Sequence, residues 1–280
     1  MAESVFEKDL INEPRNWSLS LRVERDALRA MLYNNEASGS LVVRTIGLSH
    51  DSESSYVKAL EEAVYDNPLL LADFRRVDVI VDTDRFTIMP ADVAADIDTA
   101  LAVVDAALPG VDVVEETVES ALVEQGAVLF MKVPVDVAAF LRRTFNNPAI
   151  SHHLVPLCRY FAESGKLGNN GRVYVNFRQH ALDIIAFGND TLSLANTFVF
   201  NDVADAVYYI MACRDALGLA GSNNEVFVAG NPDVREGITP LLRRYIGYVM
   251  PVIFPSAMFK AGKEAMHAPF DLIVLPLCVS

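Results

Sequence analysis

The sequence predicts an α/β chain in which one unit is used twice, and three observations carry the prediction. An internal echo comes first: LSLRVERDALRAMLYNN at residues 19–35 returns 154 positions later as VYVNFRQHALDIIAFGN at 173–189. In each copy an apolar strand enters a polar turn, and Ala27-Leu28 or Ala181-Leu182 opens the next strand. Similarity over half a chain is the mark of a duplicated domain. The second observation is that the order of three strands, helix, strand, helix reads twice. The third is GKLGNNG at 165–171, which has the composition of an exposed connector. Together they divide the chain into a first lobe, 1–165, and a second, 166–280.

The first lobe opens with strands over 17–23, 27–34 and 40–47, joined by turns holding Glu24-Arg25-Asp26 and then Asn34-Asn35 through Gly39. Asp51 or Ser52 caps the helix that follows, with Tyr56, Ala59, Leu60, Ala63 and Val64 inward and Pro68 beyond its end. Val77 to Val81 form a short apolar strand that closes on Asp82-Thr83-Asp84. A second helix is expected after Pro90, with Val93, Ile97, Leu101, Val104 and Leu108 inward and Pro109-Gly110 as its stop. Residues 112–133 read as a hairpin through Gly126, 135–145 as a helix broken by Asn146-Asn147-Pro148, 149–153 as a strand and 155–164 as a helix.

The second lobe repeats the opening with strands near 172–178, 181–187 and 191–199. A helix over 202–217 turns Val203, Ala206, Val207, Ile210 and Leu217 inward and stops at Gly218. Glu225 to Ala229 is the fourth strand, matching Val77 to Val81. A helix at 233–246, an apolar stretch at 248–254, an amphipathic piece at 256–266 and the closing DLIVLPLC complete the chain.

At 280 residues there is room for two domains of roughly 130–150 residues, burying about 70–75% of the unfolded surface. With 52% hydrophobic and 21% charged residues, each lobe can hold a real core and no low-complexity tract is present. The formal net charge of -14 opposes binding to a phosphate backbone, so no nucleic-acid partner is expected. The opening MAESVFEKDL carries Glu3, Glu7 and Asp9 and does not read as a signal peptide, and no run is apolar enough to span a bilayer. Cys158, Cys213 and Cys278 are far apart, form no CxxC and read as reduced cytoplasmic thiols buried as small hydrophobes. Cys278 stands third from the end, off a prenylation box.

The doubled order of meander, helix, strand and helix resembles the actin-like ATPase fold, whose two lobes are each of the ribonuclease H type. More narrowly, VDVIVDTDRFTIMP at 77–90, LSLANTFVFNDVADAVYYI at 192–210 and FDLIVLPLC at 270–278 resemble a bacterial family catalogued as domain of unknown function 3822. The resemblance spans nearly the whole chain. It implies two ribonuclease H-like lobes, each a mixed sheet flanked by helices, and it brings no established activity.

Active members of the actin-like superfamily carry a DxGxT or DxGxx turn at the start of each lobe. Glycine is needed there because a Cβ obstructs the approach of backbone N–H groups to phosphates and disfavours the positive φ. The corresponding turns here offer Glu24, Arg25 and Asp26, and then Arg178, Gln179 and His180, with no glycine in either. Gly230, after the fourth strand of the second lobe, is the one trace of the adenosine-side pattern; a single glycine after a strand is a weak signal, and its plainer reading is a helix-entry turn. The expectation is a degenerate nucleotide site and no cofactor.

Asp82 and Asp84, with Asp78, form the densest carboxylate group and are candidates for a divalent metal, although acidic turns at strand ends are common without one. His152 and His153, as consecutive strand residues, are expected to point to opposite faces and so not to share an ion. The paired arginines 75–76, 142–143 and 243–244 read as solvated residues near helix ends. Tyr208 and Tyr209, near Phe198 and Phe200, suit core packing, or else a cleft or partner surface together with Asn196. No GxSxG, HExxH, GxGxxG or GxxxxGK[ST] is present. The leading expectation is a non-catalytic, protein-binding scaffold or regulator. An ATP-dependent kinase or ATPase using Asp82, Asp84 or Asp26 for metal is one alternative, and a small-anion module at Arg178 and Asn196 is another.

Overall fold

The computed structural model describes residues 5–6, 10–34, 41–50, 53–164, 171–188, 191–221, 225–259 and 263–278. The connector at 165–170, the caps Asp51 and Ser52 and the turn residues 35–39 lie outside the described residues. Contacts group the chain into two compact units: one holds 1–121, 128–153 and 257–266, the other 122–127, 154–256 and 267–280.

The first unit is built on a mixed sheet of β1 (Ser18–Val23), β2 (Ala27–Tyr33), β3 (Leu41–Gly47), β4 (Arg76–Val81) and β8 (Ala149–His152), in the order β3-β2-β1-β4-β8. The meander strands β1, β2 and β3 pair antiparallel, whereas β1 with β4 and β4 with β8 are parallel. Between β3 and β4 runs α1 (Glu53–Tyr65), and Ala59, Leu60, Ala63 and Val64 are buried as the 3.6-residue period requires. Between β4 and β8 the chain inserts β5 (Phe86–Pro90), α2 (Ala91–Ala94), α3 (Ile97–Ala107), β6 (Glu115–Leu122), β7 (Ala127–Pro134) and α4 (Val135–Thr144). The three inserted strands form their own sheet, β5-β7-β6.

The single helix expected after Pro90 is broken in two. Asp96 accepts from the Thr99 amide and starts α3 afresh. Within α3 the buried side is set by Ala100 and Val104, with Leu108 at its end, while Ile97, its first residue, and Leu101 of the expected stripe are exposed. The hairpin at 115–134 formed as expected, with Gly126 at φ 63° closing its turn.

The second unit repeats the sheet with β9 (Arg172–Phe177), β10 (Ala181–Gly188), β11 (Thr191–Val199), β12 (Glu225–Gly230) and β13 (Val249–Pro251), ordered β11-β10-β9-β12-β13 with the same directions. Helix α5 (Leu154–Ser164) packs against β10 and β11, and α6 (Val203–Ala216) and α7 (Pro232–Leu242) bury Ala206, Val207, Ile210, Ile238 and Leu242 in the core. Asp202 caps α6 through a reciprocal bond with Asp205. Val203, expected inward, is exposed because it is the first residue after that cap. Helix α7 stops at Leu242, short of the expected 246. The short helices α8 (Ser256–Phe259), α9 (Lys263–His267) and α10 (Phe270–Val274) follow.

In both units the first strand is central and buried along its length, so its apolar residues form the core. Polar residues on those strands, Ser20, Arg22, Arg172 and Asn176, are buried with them. That burial sets the chemistry of both hairpin tips.

Candidate functional site

In the first unit β1 and β2 meet at Arg25-Asp26, which are exposed, while Glu24 behind them is buried. The Glu24 amide donates to Ala27 O at 2.9 Å and closes the hairpin. None of residues 24–27 has a positive φ, so the turn makes no demand for glycine. The Glu24 carboxylate turns back onto its own sheet. It accepts from Arg22 Nη1 and from Arg29 Nε, the latter at 2.9 Å. Arg22 also reaches Asp82 Oδ2 at 3.0 Å, and Arg29 donates to Thr45 Oγ1 at 3.2 Å. Arg22 and Arg29 are register partners, as are Arg29 and Thr45, so the network crosses three neighbouring strands.

The second unit carries the same ladder with the charges exchanged. Arg178 closes its hairpin onto Ala181 O at 2.8 Å, and Gln179 and His180 form the exposed tip. Here the buried carboxylate is on the second strand: Asp183 is fully buried and accepts from Asn176 Nδ2 at 2.8 Å, Arg178 Nη2 at 3.1 Å and Thr197 Oγ1 at 2.8 Å. Asn176 pairs with Asp183 and Asp183 with Thr197 in the strand register. Glu24 bound to Arg29 thus corresponds, 154 positions on, to Arg178 bound to Asp183. The echo extends to the backbone, since Asp26 O and His180 O each accept from the start of the next segment, Leu48 and Phe200.

Gly230 has φ 87°, and a Cβ there would lie 2.1 Å from Phe177 O and 2.6 Å from Asn176 Oδ1. Close approach of β12 to the end of β9 is therefore enough to require glycine. Asn231, next in sequence, donates its amide to Phe177 O, caps α7 through Asp233 N and Val234 N, and reaches Gln179 Oε1 at 3.2 Å.

Asp82 lies beside the first tip, held by Arg22 and 3.3 Å from His153 Nδ1, whereas Asp84 is exposed. Asp78 is buried against Arg76 Nε at 2.9 Å; burial pushes its carboxyl up and the guanidinium opposes the shift. Among the described residues no group of three or more His, Cys, Asp or Glu could hold a metal ion. The histidine pair departs from expectation. Strand β8 ends at His152, so His153 escapes the alternation, and the two buried rings lie side by side, tilted 39° with centroids 4.4 Å apart. His152 Nε2 lies 2.8 Å from Thr83 O. Of the paired arginines, Arg76 opens β4 instead of ending a helix, and Arg142 is bound to Glu116.

Asn196 Oδ1 accepts from Thr197 N at 2.9 Å. Tyr209 stacks on Phe198 at 4.9 Å, while Tyr208 is 67% exposed. Of the thiols only Cys158 is fully buried, its pKa pushed up to about 12 by desolvation and Asp183; Cys278, pushed up to about 11 mainly by burial, and Cys213 are half-buried. Among the described residues no helix is long and apolar enough to cross a membrane. Sequence reasoning singled out Glu24 and Arg178 but missed Arg22, Arg29, Asn176, Asp183 and Thr197. The signal was present in the echo itself, where positions 24 and 178, and 29 and 183, carry opposite charges.

Two five-stranded sheets of this one order define the class as actin-like ATPase fold. A Bacteroides thetaiotaomicron protein with that fold and unknown function superposes with a TM-score of 0.76, at 20% identity, over 95% of this chain and 97% of its own. The PilM-PilN type IV pilus biogenesis complex gives a TM-score of 0.62 at 13% identity, over 95% and 98%. No curated protein matches the sequence significantly. The family described as Protein of unknown function (DUF3822) matches residues 7–249, and the chain belongs to that family.

Proposed function

We propose that this protein is a cytoplasmic, non-catalytic member of the actin-like fold that works by binding another protein. One observation carries the reading: the charged groups just behind the two hairpin tips, Glu24 and Arg178, are spent on their own sheet. Glu24 is occupied by Arg22 and Arg29, and Arg178 by Asp183. The residues at these tips do not fit a polyphosphate. The first tip brings a buried carboxylate, which repels phosphate, and the cation of the second is already neutralised. The small-anion alternative loses its cation by the same contact. Asp82, the favoured metal candidate of the enzymatic reading, is held by Arg22.

Support for a protein partner comes from the PilM relative, whose structure is a complex with PilN. Exposed Tyr208, beside a stacked Tyr209 and Phe198, offers an aromatic contact of the kind enriched at interfaces. The test has two arms. Purified protein is assayed for metal-dependent ATP turnover, and none is expected. Turnover abolished by Asp82→Ala would overturn the reading in favour of an ATPase. In parallel, affinity capture from the native cytosol should recover one recurrent partner, retained in excess ATP and reduced by Tyr208→Ala; repeated failure to recover one removes the support.

A further inference from the structure

Each five-stranded sheet has two edge strands, and three of the four are guarded against pairing with another chain. Strand β8 has four residues, β13 has three and ends in Pro251, and β3 carries Arg44. Short length, proline and charge are the usual devices that blunt an edge. Strand β11 has none of them: TLSLANTFV runs nine residues with neither a charge nor a proline. Its one irregularity, a register shift opposite Ala186/Phe187, lies near its start and leaves Leu194 to Val199 as an unbroken run.

Strand register fixes which backbone groups of that run face outward. The Phe200 amide donates to His180 O and the Arg178 amide to Ala181 O, so the even residues of β10 bond to β11 and the odd ones to β9. On β11, Leu194, Asn196 and Phe198 therefore turn their N–H and C=O to β10, whereas Ala195, Thr197 and Val199 turn theirs to the open edge. A side chain bears this out: Asn196 Oδ1 accepts from the Thr197 amide at 2.9 Å, a bond that an amide spent in the ladder would not be free to make. The end of the run is apolar, with Val199 at 69% exposure and Phe198 stacked on Tyr209 of α6.

We propose that β11 pairs antiparallel with β11 of a second copy of this chain, about a two-fold axis at Thr197, so that two second units share one continuous sheet. In that register Thr197 meets its own counterpart and Ala195 meets Val199 of the other copy, all at hydrogen-bonding positions, and about six backbone bonds can close. Asn196 swings off the Thr197 amide, and Thr197 O of the other copy takes its place. Charge chooses the occupant. From Leu154 onward the chain has 11 acidic and 10 basic residues, whereas residues 1–153 hold -13 of the formal -14. A basic segment of another protein finds no carboxylate on β11 to select it, and an acidic segment finds no cation. The strand that suits an uncharged edge of small and β-branched residues is another of the same kind, and a second copy supplies it with no like charges opposed over 195–199. The inference goes beyond the protein-binding reading and does not rest on it.

Sedimentation equilibrium of the full chain tests it. A reversible dimer is expected at about 0.15 M salt, and it should tighten as salt rises, because the interface is uncharged while two acidic chains repel at longer range. Val199→Lys, at an exposed position, should weaken dimerisation at least tenfold. Asn196→Ala, which releases the Thr197 amide, should strengthen it severalfold. Ala195→Glu alone should also dissociate the dimer, and an equimolar mixture of Ala195→Glu and Val199→Lys chains should restore it, since the proposed register sets 195 against 199. Far-UV CD melts check that each variant is folded. A natural chain that stays monomeric at about 0.1 mM overturns the proposal. A dimer that Val199→Lys leaves intact overturns it too, because the interface then lies elsewhere. If the chain is monomeric and a partner captured from the cytosol is lost in Val199→Lys, the edge takes a strand of another protein and the second copy is refuted as its occupant.

Discussion

Asp183 is the residue on which the second tip depends. Its carboxylate is fully buried and accepts three hydrogen bonds, from Asn176 at 2.8 Å, Thr197 at 2.8 Å and Arg178 at 3.1 Å. Asp183→Ala leaves an amide, a hydroxyl and a guanidinium without their acceptor. Removing one partner of a buried charged pair costs about 3–5 kcal/mol. Arg178 keeps 19% of its side chain in solvent and recovers part of its hydration, which places the expectation near the lower end, about 3 kcal/mol. With a urea slope of about 1–3 kcal/mol per molar, the far-UV CD midpoint should fall by roughly 1.5 M. Thr197→Val, which deletes one donor together with its need for an acceptor, should cost about 1 kcal/mol. In a double-mutant cycle, Asp183→Ala with Arg178→Met should lose less than the sum of the two single changes, because each removes what the other leaves unpaired. A loss under about 1 kcal/mol for Asp183→Ala would refute the idea that this carboxylate organises the tip.

Three further outcomes follow from the same geometry. Gly230→Ala should destabilise by about 3 kcal/mol or more in chemical denaturation, because its Cβ meets backbone at 2.1 Å and its φ is 87°; a neutral result would remove the steric account of this glycine. Cys158, with its pKa raised from 9.0 to about 12, should react with iodoacetamide at pH 8 about 10³-fold more slowly than the unfolded chain, as followed by mass spectrometry. The folded thiols of Cys158 and Cys278 hold their protons where the unfolded thiols release them, and Tyr33, Tyr160 and Tyr174 are shifted upward by burial in the same sense. Stability measured by urea titration should therefore be full below about pH 9 and decline as pH rises towards 12.

The doubled architecture was legible because it rests on periods. Strand alternation, the inner stripe of α1 and the repeated Ala-Leu at 27–28 and 181–182 all express burial, and burial is written in local pattern. What escaped was competition between local signals. Val93, Ile97 and Leu101 fall on one helical stripe, but the chain breaks before Asp96, which accepts the Thr99 amide, and the new helix turns Ala100 and Val104 inward while leaving Ile97 exposed at its first position. His153 lies one residue past the end of β8, so the alternation that should have separated it from His152 does not apply. At the tips the absence of glycine was visible, whereas the bonds that occupy Glu24 and Arg178 required strand register. Arg29 and Asp183 enter those bonds only once β2 and β10 are laid beside β1 and β9.

The central claim is that Glu24 and Arg178 are each occupied by their own sheet, so that neither tip holds a nucleotide. Titration calorimetry of the full chain with Mg-ATP tests it most directly. The account predicts no saturable heat up to millimolar nucleotide, for the natural sequence and for Asp82→Ala alike. Micromolar binding of Mg-ATP that is lost in Asp82→Ala or in Arg178→Met would contradict it.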